Sequence, residues 1–140
     1  MGDVLKLCDS GHRSSVLISV FYNFTLSELL FMISIRLWAL TGEVLLEMVG
    51  HTAIVYSIDA HKSGLVASGS EDGSAKIWKD GVCVQSIHHP GCVWDVKFLE
   101  NGDIVTACSD GVARVWTVHQ GRTAESHELE AYASLLSQYT

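Results

Sequence analysis

The chain has 140 residues, of which 48% are hydrophobic and 18% charged, and its formal net charge is −7 at pH 7. This apolar content is enough for a packed core in one domain or part of one, and it excludes wholesale disorder. Only 9 Lys and Arg are present, without a cluster, which argues against a nucleic-acid partner and favours a soluble protein that binds other proteins.

The first third of the chain contains a strongly apolar stretch, residues 16–33. Its Glu28 lies in the middle of the stretch, where a carboxylate is costly in lipid. We therefore expect a buried strand pair or a disordered apolar leader here, rather than a membrane-spanning helix. No basic N-terminal flank with a small-residue cleavage site precedes it, which favours an intracellular protein with reduced thiols.

A repeat with a period of about forty residues begins after this stretch. Trp38 and Trp78 are 40 residues apart, and Trp78 and Trp116 are 38 apart. Two further residue types keep the 38-residue interval, namely His51 with His89 and Asp72 with Asp110. Three residue types in one register indicate a true internal repeat.

Each unit of the repeat reads as short strands separated by turns. The first complete unit predicts strands at 54–58, 65–68, 74–78 and 82–87, with tight turns at Glu71-Asp72-Gly73 and Lys79-Asp80-Gly81. The next unit predicts strands at 93–98, 104–107 and 112–118, and no clear fourth strand. Four short antiparallel strands in about forty residues are typical of a propeller blade.

These units resemble WD repeats, because Gly50-His51 stands where that family has its Gly-His pair and Trp78 and Trp116 stand at its closing Trp. In the family, a His, a Ser or Thr, an Asp and the Trp form a buried hydrogen-bonded chain in each blade. Carried over by position, the resemblance implies two structural tetrads: His51, Ser68, Asp72 and Trp78, and His89, Thr106, Asp110 and Trp116. The second unit has His88-His89 in place of Gly-His, which weakens its His assignment.

The same His, Ser and Asp residues raise the alternative of a hydrolase. The chain has no G-x-S-x-G turn for a nucleophile, and Ser68-Gly69-Ser70 fits the end of a strand. The residue set also recurs in two consecutive units, as expected of a structural network and not of one active site. We therefore predict no catalytic residues, no cofactor and no enzyme activity. The cysteines form no C-x-x-C pair, and His61 and His88 lack partners at metal-ligand spacing, so no metal site is predicted.

A more specific resemblance is carried by residues 40–46, 81–87 and 99–111, which look like the last blades of the phospholipase A-2-activating protein family. It covers about residues 34–116, and the tail around Glu128 to Tyr132 looks like the segment that follows that propeller. The tail also reads as a short amphipathic helix, with an ordinary packing helix as an equal alternative; its apolar residues are Leu129, Tyr132, Leu135, Leu136 and Tyr139.

This resemblance implies a protein that binds ubiquitin or ubiquitinated proteins in ubiquitin-dependent protein catabolism. Family members also bind an AAA+ unfoldase, but through later domains that this sequence does not contain. We expect a cytoplasmic and nuclear protein, without nucleic-acid or membrane partners. The alternatives are a generic WD-repeat scaffold in an unrelated complex and a non-functional fragment.

The predicted fold class is all-β, an incomplete WD-repeat β-propeller of about two and a half blades with a short C-terminal helix. We assign residues 1–33 to a leader outside the family, of uncertain structure. Residues 34–119 are assigned to the propeller fragment, with blades near 34–49, 50–88 and 89–119, and residues 120–140 to a linker and helix. The abrupt change at residue 34 suggests a truncated or alternatively spliced form. Residues 16–22 are a conceivable fourth strand for the last blade.

Two and a half blades cannot close a ring, so apolar faces and strand edges stay open and a monomer is expected to be marginally stable. Propellers bind partners through the loops on one face. The residues near that face are predicted to be Tyr56, Glu71, Trp94 and Ser109. Exposed aromatic rings are good anchors for a protein partner. The alternative is that Tyr56 and Trp94 pack between blades.

Overall fold

The computed structural model describes residues 2–9, 15–25, 30–117, 121 and 123–139. Its described part contains eleven strands and one helix: β1 (Gly2–Asp9), β2 (Ser15–Thr25), β3 (Leu30–Ala39), β4 (Val44–Val49), β5 (Val55–Ala60), β6 (Val66–Ser70), β7 (Ser74–Lys79), β8 (Val82–His88), β9 (Val93–Phe98), β10 (Ile104–Cys108), β11 (Ala113–Trp116) and α1 (Ser126–Tyr139). Within these ranges no helix is long and apolar enough to cross a membrane.

The strands form three antiparallel sheets in chain order. The first sheet has the order β1-β2-β3-β4, the second β5-β6-β7-β8, and the third β11-β10-β9. Neighbouring strands are thus neighbours in sequence, as in propeller blades. The predicted fold class, an incomplete propeller with a short C-terminal helix, is confirmed.

The apolar stretch 16–33 forms β2 and the start of β3, in agreement with the expected strand pair, and β1 extends the first sheet further toward the N-terminus. Residues 16–22 lie in β2 and pair with β1 on one side and β3 on the other, from Val16 opposite Cys8 and Ala39 onwards. The suggestion that this segment supplies a fourth strand to the last blade is therefore wrong. Since β1, β2 and β3 follow one another in the chain, local hairpin pairing satisfies their backbone groups without a long connection.

A tight turn joins β7 to β8 in the second sheet. Asp80 and Gly81 have positive φ angles of 51° and 83°, which is the geometry of a two-residue hairpin that matches the twist of β7 and β8. Asp80 is the one non-glycine residue with positive φ in the described part, and a short polar side chain tolerates this conformation best.

The core lies between the sheets, where alternate residues of each strand face a neighbour. Between the first and second sheets, Ile18, Val20, Ile33 and Ile35 pack with a group from the second sheet that includes Val55, Ile58 and Trp78. Between the second and third sheets, the buried residues are Ala67, Ala75, Ile77, Ile87, Val93, Val96 and Ile104, with Trp116 against them. Burial of these side chains is the main stabilising term of the fold.

The predicted C-terminal helix is present as α1. Glu125 precedes it, and its backbone N–H donates to the Glu128 carboxylate at 2.8 Å, one half of a capping box. Its apolar side chains Leu129, Tyr132, Leu135 and Leu136 are all exposed. The described part of the fold covers none of these apolar side chains, which argues against the alternative of an ordinary packing helix.

Candidate protein-interaction face and the networks beneath it

A continuous hydrogen-bonded chain crosses the second sheet. The indole N–H of Trp78 donates to the Ser68 hydroxyl at 2.8 Å, and that hydroxyl lies 2.7 Å from Nε2 of His51. The other ring nitrogen, Nδ1, lies 2.7 Å from the Asp72 carboxylate. The structure thus brings together all four members of the first sequence-predicted tetrad, across β6, β7 and the loops that flank them.

The protonation of this chain follows from its donors. Ser68 accepts the indole N–H, so its own hydroxyl proton is free to be donated to Nε2 of His51, and Nδ1–H of a neutral imidazole then donates to Asp72. Burial lowers the pKa of His51, although its contact with Asp72 acts in the opposite direction. The imidazole is therefore neutral at pH 7, and every polar group of the chain has a partner.

Asp72 is the charged end of the chain. Burial by itself would raise the pKa of this carboxyl, but hydrogen bonds from Ser74, His51 and the Thr52 N–H outweigh it and lower the pKa to about 2. The Ser74 hydroxyl lies 2.6 Å from the carboxylate and the Thr52 N–H donates at 3.1 Å. Asp72 thereby ties the loop before β5 to the turn between β6 and β7.

The geometry of Ser68, His51 and Asp72 superficially matches a catalytic triad. Ser68 is fully buried, however, and its oxygen already accepts the Trp78 indole. A nucleophilic serine needs an exposed position where a substrate carbonyl can approach. In its described geometry this group is a structural network.

The third sheet repeats only part of the chain. The Trp116 indole donates to Thr106 at 2.9 Å, and Thr106 lies 2.8 Å from Nε2 of His89. Nδ1 of His89 instead lies 3.2 Å from the Ile87 carbonyl, and Asp110 forms an ion pair with Arg114 at 2.6 Å. The predicted placement of Asp110 in the second tetrad is therefore wrong, whereas His89, Thr106 and Trp116 are connected.

The residues around Asp110 explain this difference. At the position of Thr52 the third unit has Pro90, which has no backbone N–H to donate, and at the position of Ser74 it has Val112, which has no hydroxyl. At the position of Lys76 the third unit has Arg114, whose planar guanidinium group can donate two hydrogen bonds to one carboxylate. Hydrogen bonds from Arg114 hold the pKa of Asp110 well below its usual range.

A third, shorter hydrogen-bonded network lies in the first sheet, and the sequence analysis did not predict it. The Trp38 indole donates to the Ser19 hydroxyl at 2.8 Å. Ser19 pairs opposite Arg36 in the sheet, just as Ser68 pairs opposite Lys76, so the two serines are structurally equivalent. The bonded Ser and Trp are 10 residues apart in the second sheet but 19 apart in the first, because β2 and β3 are longer. The spacing along the sequence therefore did not identify Ser19 as the partner of Trp38.

Above these networks lies one surface, which we call the loop face and define as residues 52–56, 71–73, 90–94 and 109–111. Tyr56 and Trp94, 38 residues apart, occupy equivalent positions on β5 and β9, and their ring centroids lie 4.7 Å apart with the planes tilted by 38°. Tyr56 is partly buried, whereas Trp94 is 50% exposed. Tyr56 of the second sheet thus packs on Trp94 of the third, as in the alternative of packing between blades, while half of the Trp94 surface stays exposed.

The two remaining predicted partner-binding residues occupy equivalent turns. The backbone N–H of Glu71 donates to the Ile54 carbonyl at 2.8 Å, and that of Ser109 donates to the Cys92 carbonyl at 2.8 Å. Both side chains are exposed. Partial desolvation, together with the nearby charge of Glu71, raises the pKa of Tyr56. The loop face therefore combines a supported aromatic ring with a neighbouring carboxylate.

Within the described ranges, no group of three or more His, Cys, Asp or Glu side chains could hold a metal ion. Cys83, Cys92 and Cys108 are free thiols. His61 lies at the β5–β6 turn, where its Nδ1 is 2.8 Å from the Ser63 hydroxyl and its Nε2 is 3.3 Å from the Glu100 carbonyl. It is a turn histidine that links the second and third sheets.

Consecutive antiparallel sheets of four, four and three described strands, each with a Trp bonded to a buried hydroxyl, define a WD-type propeller fragment. Comparison with known families agrees, since the WD domain, G-beta repeat family matches residues 42–79 and 81–117. These matches cover more than half of the chain, which therefore belongs to this family. Propeller domains of this family generally act as protein-interaction scaffolds.

Solved structures show the same fold. The crystal structure of the WD40 β-propeller domain of Doa1 has a TM-score of 0.64 at 22% identity and covers 89% of this chain and 52% of that chain. The computationally designed Ika4 protein has a TM-score of 0.63 at 24% identity and covers 82% of this chain and 64% of that chain. At these identities the likeness concerns the fold alone.

One curated relative is more similar in sequence. The ubiquitin homeostasis protein lub1 of Schizosaccharomyces pombe (strain 972 / ATCC 24843) is 46% identical over 54 residues, which is 38% of this chain and 8% of lub1. The resemblance to the phospholipase A-2-activating protein family is confirmed, because lub1 is a member of it. The chain spans only a small part of this relative and about half of the Doa1 propeller domain.

Proposed function

We propose that this protein-interaction scaffold binds ubiquitin or ubiquitinated proteins through its loop face, in ubiquitin-dependent protein catabolism. The observation that carries the proposal is the Tyr56–Trp94 pair, in which a half-exposed indole is supported by a second ring. The name of lub1, a ubiquitin homeostasis protein, supports ubiquitin as the partner.

The chemistry of the face suits a protein partner. A rigid aromatic ring offers a large contact area at a low cost in conformational entropy, and such rings dominate binding energy at interfaces. Glu71 lies beside the pair and adds a carboxylate for a basic residue at the rim of the partner's surface. The buried His51 chain fixes the turn that carries Glu71 and the loop that precedes Tyr56, so little ordering of this part of the face is needed on binding.

The proposal includes a location in the cytoplasm and nucleus and makes no claim about binding of an AAA+ unfoldase. The scaffold in an unrelated complex stays the second candidate. Under this second candidate function, the protein is folded and its loop face binds another protein, but it has no affinity for ubiquitin.

Titration of ¹⁵N-labelled ubiquitin with the full chain tests the proposal. We expect shifts of a contiguous set of ubiquitin resonances, and the Trp94→Ala variant should weaken binding by roughly thirty-fold, the effect of a loss of about 2 kcal/mol. Val82→Ala is the matched control, because Val82 is an exposed apolar residue on the outer strand β8, away from the loop face. A folded chain that leaves the ubiquitin spectrum unchanged would overturn ubiquitin binding and favour the unrelated scaffold.

A further inference from the structure

The two aromatic rings of the loop face stand at equivalent irregularities of their strands. On β5 the register shifts between Val55 and Ser57, so Tyr56 is one extra residue without an opposite partner on β6. On β9 the register shifts at Trp94 in the same way. A β-bulge of this kind re-aims a side chain, and bulges are common beside functional sites. The same backbone feature thus places both rings at the loop face, where their centroids lie 4.7 Å apart.

A carboxylate lies beside this ring pair. Glu71 directly follows β6, and its backbone N–H donates to the Ile54 carbonyl at 2.8 Å, which holds the turn next to the start of β5. Partial desolvation raises the pKa of Tyr56, and the charge of Glu71 adds to this effect, which places the carboxylate near the phenol. The Glu71 side chain is exposed, and within the described ranges its carboxylate forms no hydrogen bond or ion pair.

The other two carboxylates of the loop face already have partners. Asp72 is held by the buried His51 network, and Asp110 forms an ion pair with Arg114. The loop face contains no Lys or Arg of its own, and the whole chain has a formal net charge of −7. Among the described loop-face residues, Glu71 is therefore the carboxylate that can accept a cation from a partner.

We propose that Trp94, Tyr56 and Glu71 form a binding site for an arginine side chain of a partner protein. The guanidinium stacks on the exposed side of the Trp94 indole and donates hydrogen bonds to the Glu71 carboxylate. Tyr56 holds the indole from its covered side. This inference rests on the proposed function and deepens it, because it names the chemical group that the loop face recognises.

Arginine fits this site better than other side chains do. The face of an indole attracts a cation, and a guanidinium can stack on it while its N–H groups point outward in the plane toward a carboxylate. A lysine ammonium is a compact and strongly hydrated charge that cannot stack in this way. An apolar side chain on Trp94, which is 50% exposed, would desolvate Glu71 without giving it a hydrogen-bond donor. An acidic side chain would be repelled by Glu71.

A short peptide tests the site without any partner protein. The ¹⁵N-labelled full chain is titrated with N-acetyl-glycyl-arginyl-glycinamide, and the indole N–H resonance of Trp94 and the backbone N–H resonances of Tyr56 and Glu71 should shift. The expected Kd is on the order of millimolar, since an exposed cation–π contact and one exposed ion pair are both weak. The same peptide with citrulline keeps the planar shape without the charge and should bind roughly ten-fold more weakly.

Two variants assign the binding to the proposed residues. Glu71→Gln should weaken binding of the arginine peptide by roughly five-fold, and Trp94→Leu by at least about as much, followed at the Tyr56 backbone N–H. Glu100→Gln is the matched control, because Glu100 is an exposed carboxylate between β9 and β10, outside the loop face, and it should leave the Kd unchanged.

The outcomes separate this site from ubiquitin binding. Absence of shifts at tens of millimolar peptide, equal binding of the lysine or citrulline peptide, or full affinity in Glu71→Gln would each overturn the arginine site. Shifts that behave as expected support it even if the chain leaves the ubiquitin spectrum unchanged, in which case only ubiquitin as the partner is lost. Binding of ubiquitin without binding of the peptide gives the reverse result.

Discussion

The Asp72 carboxylate lies 2.7 Å from Nδ1 of His51 and joins two loops that are 21 residues apart in the chain. In the third sheet the equivalent carboxylate, Asp110, accepts hydrogen bonds from the residues on either side of its own turn: Arg114, the Val112 N–H and Cys108. Two positions that share one repeat register therefore have different structural roles. Asp72 is part of a buried network, and Asp110 forms a surface ion pair.

This difference predicts unequal costs for the same substitution. Asp72→Ala leaves the buried His51 and the Thr52 N–H without an acceptor and should lower the free energy of unfolding by about 2 to 3 kcal/mol. Asp110→Ala removes an exposed i,i+4 pair and should cost clearly less than Asp72→Ala. Urea unfolding followed by tryptophan fluorescence measures both. Equal costs for the two variants would contradict the assignment of Asp72 to a closed network.

The same network predicts a loss of stability in acid. The pKa of His51 is lowered in the folded chain, so the unfolded chain takes up the proton first as the pH falls below about 6.5, and unfolding becomes easier. The pKa of Asp72 is lowered from 3.8 to about 2, and its contribution of about 2 kcal/mol is lost between pH 4 and pH 2. Protonation of His51 and protonation of Asp72 both lower the free energy of unfolding as the pH falls. Stability should therefore decline in two steps.

The first step can be assigned with His51→Gln. This variant should be less stable at pH 7, and its stability should change less between pH 7 and pH 5 than that of the wild type. Burial also lowers the pKa of His89, so the slope should decrease without vanishing. Urea midpoints of the wild type that are constant from pH 7 to pH 5 would refute a buried, neutral His51.

The repeat register predicted the sheets after residue 34, because a 38-residue interval places equivalent residues at equivalent points of successive sheets. The resemblance to WD repeats, carried over onto that register, implied the one complete network. The register also placed Tyr56 and Trp94 near one face, but their contact corresponds to the alternative that they pack between blades. It was wrong for Asp110, since the partners of a carboxylate depend on neighbours such as Pro90 and Val112, which the register does not include. It also missed Ser19, because a longer hairpin changes the spacing while preserving the pairing across the sheet.

The Ser19–Trp38 bond makes the role of residues 1–33 testable. Ser19 is buried, and Ser19→Ala removes the acceptor of the Trp38 indole, so the free energy of unfolding should fall by about 1 to 2 kcal/mol. Ser86→Ala is the control, because Ser86 is exposed and bonds only the flexible Lys76 ammonium at 3.0 Å. If both variants unfold at the same urea concentration as the wild type, β2 does not support Trp38 in solution.

Gly69 shows how closely the second and third sheets approach each other. A Cβ at this position would meet Val93 Cγ1 at 2.9 Å and the Val93 carbonyl at 3.2 Å, and the backbone carbonyl cannot move without shifting β9. Gly69→Ala should therefore lower the free energy of unfolding by about 1 to 3 kcal/mol, as overpacking does in well-packed cores. It should also weaken the Tyr56–Trp94 contact, because β9 carries Trp94.

Gly91→Ala is the informative comparison. Its Cβ would lie 2.2 Å from the Ser109 hydroxyl oxygen, a closer approach than any at Gly69, but Ser109 is exposed and its side chain can rotate away. The cost should therefore stay below about 1 kcal/mol despite the shorter distance. Thermal unfolding of the two variants under identical conditions compares their losses of stability. A larger loss of stability for Gly91→Ala than for Gly69→Ala would mean that the third sheet does not pack on the second as closely as described.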